Sequence, residues 1–250
     1  MRKLVLPGLL LLLPLTACGG GQDDQTLTVL AAASLTETFT ELAETFEDEH
    51  PDVEVELVFG SSTTLAEQAA DGAPGDVLAT ADSRAMEVAV DGGVTSGEPE
   101  TFALNELVIV TPPGNPANVA GLSSLGLPGV DWARCVSSAP CGALAETALA
   151  QRASQAEPVT EEVDVRAVLA RVVAGEVDAG LVYRTDALAA GDEVETVETG
   201  PAAPSTIYEI STLHDSDPAS EFVQLVLDEA GQTVLRDAGF RAPRVLGDAE

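Results

Sequence analysis

The sequence predicts an α/β fold, and three observations carry that reading. Short runs rich in β-branched and aliphatic residues alternate with longer amphipathic stretches along most of the chain. Most of the junctions between them hold Ser, Asp, Gly or Pro, the residues that start helices and close turns. Beyond the N-terminal segment, no apolar run is long enough to cross a bilayer, which takes about 20 residues.

The elements follow in order. Residues 26–32 read as a strand. Residues 34–49 read as an amphipathic helix with Leu35, Phe39, Leu42 and Phe46 on one face. Ser34-Leu35-Thr36-Glu37 has the form of a capping box at its start. Residues 53–59 alternate apolar and acidic as a half-buried strand. Gly60-Ser61-Ser62 then turns into a helix over 63–70. A short strand at 76–79 precedes a helix at 84–90. Residues 106–111 form a strong strand, ended by Pro112-Pro113-Gly114 as at a crossover. A strand at 130–136 leads to a helix at 142–152. A helix at 165–174 stops at Gly175, and 179–183 is a buried strand. A last strand at 206–212 precedes helical sequence over 218–238, broken near Gly231. Strands separated by helices imply largely parallel pairing.

The first residues fix the compartment. Arg2 and Lys3 precede an almost wholly apolar run over 4–15, and Leu15-Thr16-Ala17-Cys18 closes it. A basic start, a short apolar run and small residues before a cut site describe an export signal over 1–17. The Cys that follows resembles the lipobox of bacterial lipoproteins, which are cut before that Cys and acylated on it. The expectation is an extracytoplasmic protein held to the membrane only through lipid on Cys18. Residues 18–25 form a polar, glycine-rich tether.

Charge excludes one class of partner. Asp and Glu total 42 against 11 Lys and Arg, and Lys3 is the only Lys. A nucleic-acid partner requires basic patches, so none is expected. The acidity reads as a solvated surface. With Cys18 assigned to the lipid, Cys135 and Cys141 remain as a pair six apart in an oxidising compartment, which predicts a disulfide. Metal ligation is the competing reading, but His50 and His214 do not lie at ligand spacing, so no metal site is expected.

Four junctions place hydroxyls or free amides at helix starts: Ser34, Ser61-Ser62, Pro140-Cys141-Gly142 and Asp164-Val165-Arg166. The first N–H groups of a helix lack internal partners and carry partial positive charge, so each junction can hold an anion. Ser and Asp are also ordinary caps, so each alone says little. Arg84, Arg134, Arg166, Arg171 and Arg184 are the alternative anion ligands, and among so many carboxylates they are expected to form surface pairs instead.

Taken together, the motifs resemble the molybdate-binding proteins of bacterial ABC importers. Ala31-Ala32-Ala33-Ser34-Leu35-Thr36 is similar to that family's opening. Phe59-Gly60-Ser61-Ser62-Thr63-Thr64-Leu65-Ala66-Glu67-Gln68 is similar to its second motif, and runs on into Gly72-Ala73-Pro74-Gly75-Asp76-Val77 and Ala81-Asp82. Asp164-Val165-Arg166, Gly180-Leu181-Val182-Tyr183 and Thr185-Asp186-Ala187 resemble the third block, and Ala238-Gly239-Phe240 the close. The resemblance spans about residues 27–242.

It implies a two-lobed periplasmic-binding-protein-like fold of type II, with the ligand in the interlobe cleft and two crossover strands. Lobe 1 would comprise 26–104 and 203–250, and lobe 2 105–202. It implies ligand contacts at Ser34, Ser62 (with Ser61 the neighbouring alternative), the amides of Cys141 and Val165, and the Tyr183 hydroxyl. It further implies molybdate or tungstate as ligand, no cofactor, an importer permease as partner, and a monomer. The family usually has Ala-Gly where Cys141-Gly142 stands, and a disulfide here would fix that loop. A site made only of donors suits an anion that carries no proton near neutral pH, whereas hydrogen phosphate would leave its proton unpaired at a cost of about 1–3 kcal/mol. Sulfate or phosphate is the alternative cargo. Catalysis is not expected, because there is no Gly-Xaa-Ser-Xaa-Gly and His50 and His214 read as surface residues. A surface lipoprotein without a ligand is the remaining rival.

Overall fold

The computed structural model describes residues 25–151, 156–200 and 203–243. The export signal, Cys18 and most of the tether lie outside the described residues, as does Arg152 at the end of one expected helix. Nine strands and eight α-helices are described: β1 Gln25–Ala32, α1 Thr36–Glu49, β2 Val53–Gly60, α2 Ser62–Ala70, β3 Val77–Thr80, α3 Ser83–Asp91, β4 Glu100–Thr111, β5 Trp132–Cys135, α4 Pro140–Gln151, β6 Thr160–Glu162, α5 Val165–Val173, β7 Ala179–Tyr183, α6 Arg184–Ala190, β8 Glu195–Val197, β9 Ser205–Thr212, α7 Asp217–Leu227 and α8 Glu229–Asp237.

The strands run in the order β2-β1-β3-β9-β4-β7-β5-β6, with β8 against β4. Strand β4 makes this two lobes. Its first part, Glu100–Glu106, pairs with β9, and from Leu107 it pairs with β7. One strand therefore belongs to both sheets, and the chain returns between them from β8 to β9.

Parallel pairing holds for β1–β2, β1–β3, β5–β6 and β5–β7. The pairs β3–β9, β4–β9, β4–β7 and β4–β8 are antiparallel. The expectation of largely parallel sheets is corrected to a mixed sheet. The two strands at the centre, β4 and β9, run antiparallel to the strands they pair with.

Each sheet buries both faces, and the strands show it with period 2. In β4, Leu107 and Ile109 join one apolar cluster with Trp132, while Val108 and Val110 join another. In β1 and β3, Val29, Ala31, Val77 and Ala79 face the α1/α7 side, where Phe39, Phe46 and Phe222 meet edge-on or tilted; Leu30 and Leu78 face α2 and α3 with Leu65 and Met86. These are fully buried aliphatic runs, which is why they read clearly as strands.

Three further differences have physical causes. The capping box at Ser34 does not form. The chain passes through a 3-10 turn, Ala33–Leu35, and α1 starts at Thr36 without a side-chain cap. The Ser34 hydroxyl is engaged by Tyr208 instead. The C-terminal helical sequence breaks at Asp228, whose carboxylate caps α8 by accepting from the Gly231 amide. Strands β6 and β8 and helix α6 are too short for periodicity to reveal.

Candidate functional site

Six segments converge on one small cavity. It is lined by Ala32, Ala33 and Ser34 after β1, Gly60, Ser61 and Ser62 after β2, Ala81 after β3, Ala139, Pro140 and Cys141 at the start of α4, Asp164 and Val165 at the start of α5, and Tyr183 ending β7. All five residues expected to touch a ligand are therefore brought together, from stretches of sequence up to about 150 residues apart. Ser34, Ser62, Cys141, Val165 and Tyr183 are all buried. The cavity has about 20 Å³ of room, where a single water needs about 10–15 Å³ by the same measure. It suits one small ion.

The helix starts are arranged unequally. Helices α3, α7 and α8 carry side-chain caps from Asp82, Ser216 and Asp228. At the cavity, the Ala33–Leu35 turn and α2 have none. Helix α5 is capped by Asp164, but through the Ala167 amide, so the Val165 amide stays open. In α4, Gly142 and Ala143 donate to the Ala139 carbonyl, and the Cys141 amide stays open. Free amides at a helix start, left over where a cap could have used them, are an anion site.

The hydroxyls are also poised to donate. Ser62 Oγ accepts from the Ala81 amide at 3.0 Å. An amide can only donate, so the Ser62 proton is free for the cavity. Tyr183 Oη is buried without a protein partner. Burial, then the nearby Tyr208, Asp82 and Asp186, raises its pKa well above the ordinary value, so it remains a neutral donor. An unpartnered buried hydroxyl costs about 1–3 kcal/mol, which a ligand oxygen would recover.

The disulfide expected from the cysteine count is present. Cys135 ends β5 and Cys141 lies in the first turn of α4, with Cα atoms 5.7 Å apart. Gly142 completes this tight loop: a Cβ there would sit 2.0 Å from the Val136 carbonyl oxygen. Glycine is the residue that allows the backbone to come so close.

No residue lining the cavity is Lys or Arg. The five candidate arginines are used elsewhere, as expected. Arg84 pairs with Asp82, Arg134 with Glu146 and Glu161, Arg171 with Glu162 and Glu176, and Arg184 with Glu106 and Glu198. Arg166 reaches across the cleft to Glu37 on α1. Thr63 Oγ1 makes a second crossing, donating to the Ser138 carbonyl at 2.8 Å. His50 stacks on Phe46 and faces Glu221, and His214 is exposed, so neither approaches the cavity.

Sequence reasoning missed a second layer. Tyr208 on β9 bonds Ser34 Oγ at 2.7 Å, and Asn105 on β4 donates to Tyr208 Oη at 3.3 Å and to Thr185 Oγ1 at 2.8 Å. These partners are 80 to 174 residues apart, and no local signal marks them. Asp186 at the start of α6 is also buried, accepting from the Tyr183 amide at 3.1 Å with one oxygen and leaving the other unpaired. Burial first, and then Glu37 and Asp164, pushes its pKa up to about 7 against the opposing pull of that amide and of Arg166.

A two-lobed α/β scaffold that closes over a small cavity of donors defines a solute-binding protein. The comparisons with known proteins give the family. Residues 27–241 match the model of the bacterial extracellular solute-binding proteins, and the chain belongs to that family, whose members bind solutes and do not catalyse. The molybdate-binding protein ModA of Mycobacterium tuberculosis is 37% identical over 229 residues, covering 90% of this chain and 88% of that protein. Two solved structures share the fold. The periplasmic molybdate-binding protein of Azotobacter vinelandii has a TM-score of 0.76 at 21% identity, covering 87% of this chain and 100% of the other. The sulfate-binding protein SubI of Mycobacterium tuberculosis has a TM-score of 0.77 at 19% identity, covering 87% of each.

Proposed function

We propose that this chain captures molybdate or tungstate outside the cell and delivers it to the permease of an ABC importer. One observation carries the reading: a single-ion cavity is ringed by donors and contains no cationic side chain. In the proposed complex, Ser34 and Ser62 each donate through hydroxyl and amide, Cys141 and Val165 through amides, and Tyr183 through its hydroxyl. These groups are fixed before the ligand arrives, so little reorganisation opposes binding. A strongly acidic protein can in this way hold a dianion without formal counter-charge. The relative named as molybdate-binding over most of the chain supports the choice of cargo.

The working unit is a monomer, since one chain supplies every proposed contact. Lobe 1 comprises 26–104 and 203–250 and lobe 2 105–202, a division supported by the switch of β4 from β9 to β7 between Glu106 and Leu107. Cleavage before Cys18 and acylation of that residue would leave the protein tethered to the outer face of the membrane. Globomycin-sensitive processing and radiolabelled palmitate incorporation, lost in Cys18→Ala, test that part.

The cargo is tested by thermal melting of ligand-free protein with molybdate, tungstate, sulfate and phosphate in turn. A ligand at 100 times its Kd stabilises by about 2.7 kcal/mol, which raises Tm by several degrees. Shifts with molybdate and tungstate alone are expected. A shift only with sulfate or phosphate replaces the cargo, and no shift with any of them refutes the oxyanion reading.

A further inference from the structure

Ser34 Oγ is the one cavity hydroxyl whose hydrogen-bond polarity depends on other side chains. A serine beside an anion can either donate to it or accept from it, and the choice decides whether a protonated anion is tolerated. At Ser62 the Ala81 amide makes that choice, because an amide only donates. At Ser34 the partner is Tyr208 Oη, which could act either way.

The next residue settles it. Asn105 Oδ1 accepts from the Glu106 amide at 2.9 Å, which fixes the orientation of the side-chain amide. Its Nδ2 must then point at Thr185 Oγ1 and Tyr208 Oη, and it can only donate to them. Tyr208 Oη, receiving from Asn105, has its own proton left for Ser34 Oγ. Ser34 Oγ, receiving from Tyr208, has its proton left for the cavity. Asn105, Tyr208 and Ser34 are buried. Burial also raises the Tyr208 pKa, so the phenol keeps the proton that the relay needs.

We propose that Asn105 and Tyr208, neither of which lines the cavity, are specificity-determining positioning residues: their one-way relay, Asn105 to Tyr208 to Ser34, holds Ser34 as a donor and so rejects anions that carry a proton. The inference rests on the oxyanion-binding reading above and assigns the exclusion of hydrogen phosphate to two residues behind the site. It separates two kinds of discrimination. Sulfate carries no proton and is excluded or admitted by size alone, so the relay has no effect on it. Hydrogen phosphate needs an acceptor for its proton; the Asp164 carboxylate at the cavity already accepts from the Ala167 amide, and the relay keeps Ser34 turned as a donor.

The test is competition calorimetry on the purified protein, with molybdate as the reference and sulfate and phosphate as competitors near pH 7. Tyr208→Phe keeps the ring against Phe102, Tyr183 and Phe240 and deletes only the hydroxyl. With no phenol proton pointed at it, the Ser34 hydroxyl is free to turn and present a lone pair, in place of its proton, to the cavity. Phosphate should gain on molybdate by about tenfold or more, the scale of one restored hydrogen bond, while the sulfate-to-molybdate ratio stays within about twofold. Asn105→Leu frees Tyr208 to accept from Ser34 and should move the phosphate ratio the same way. If Asn105→Leu does not fold, as judged by melting without ligand, Tyr208→Phe decides alone. A phosphate ratio unchanged in Tyr208→Phe overturns the relay. Sulfate and phosphate rising together also overturns it, since that is the signature of a loosened cavity. Wild-type protein that binds none of the anions removes the oxyanion reading itself, a distinct result.

Discussion

The two lobes surround the same cavity with different chemistry. Lobe 1 presents Ser34 and Ser62, whose hydroxyls are side-chain groups held by Tyr208 and by the Ala81 amide. Lobe 2 presents the Cys141 and Val165 amides at two helix starts, together with Tyr183 Oη. A main-chain donor survives any change of side chain that leaves the backbone in place. A hydroxyl does not. The difference teaches that the hydroxyl donors, Ser34 and Ser62 on lobe 1 and Tyr183 on lobe 2, should respond to mutation through affinity, and the amide donors of lobe 2 through the stability of the loops that aim them.

The largest effect is expected on the lobe 1 side. Ser34→Ala combined with Ser62→Ala removes two donors and leaves the Ala81 amide without its acceptor. At about 1–3 kcal/mol for each lost partner in a buried site, molybdate affinity should fall by about a hundredfold or more in calorimetry. A loss under about fivefold would place the ligand elsewhere.

Lobe 2 should give the reverse pattern. Cys135→Ala with Cys141→Ala deletes the disulfide but keeps both backbone positions. Closing a loop this short is worth about 2 kcal/mol, so Tm should fall by several degrees. Affinity should fall less than tenfold, because the Cys141 donor is an amide. If affinity collapses while Tm holds, the bridge itself aims the donor and the contrast between the walls fails.

Asp186 gives a pH-dependent effect on lobe 2. Its folded pKa, about 7, lies above the ordinary carboxylate value. The folded protein therefore holds this proton more tightly than the unfolded chain. The stability it contributes is full at acid pH and is lost as pH rises toward and through about 7, by up to about 4 kcal/mol. Asp186→Asn, which retains an acceptor for the Tyr183 amide, should stabilise the protein at pH 8 and flatten Tm between pH 5 and 8. Equal slopes in the two proteins would remove the role of Asp186.

The smallest effect belongs to the contact that bridges the lobes. Arg166 and Glu37 are both partly exposed, and such pairs are worth about 0–1 kcal/mol. Arg166→Ala should change affinity by at most about fivefold. A hundredfold loss would make Arg166 a ligand residue and end the account of a cavity without formal charge.

Much of this was legible in the chain. Strands buried on both faces announce themselves as aliphatic runs, as at 26–32 and 179–183. Helix starts announce themselves through Asp164 and through Pro140-Cys141-Gly142. The cysteine pair fixed its own disulfide once Cys18 was set aside. What misled were local rules overruled by distant partners. Ser34 has the sequence of a cap, yet Tyr208, 174 residues away, takes its hydroxyl. Strand β4 begins at Glu100, not at 106, because β9 supplies a ladder for residues with little strand pattern of their own.

The sequence by itself therefore determined the elements, the cysteine bridge and the supply of hydroxyls and helix-start amides, because each depends on residues within a few positions of one another. Only the tertiary structure decided that these donors meet around one cavity, that the arginines are spent on carboxylates, and that the Ser34 hydroxyl meets Tyr208. Those outcomes depend on bond direction and on packing between segments far apart in the chain, and neither leaves a periodicity to read.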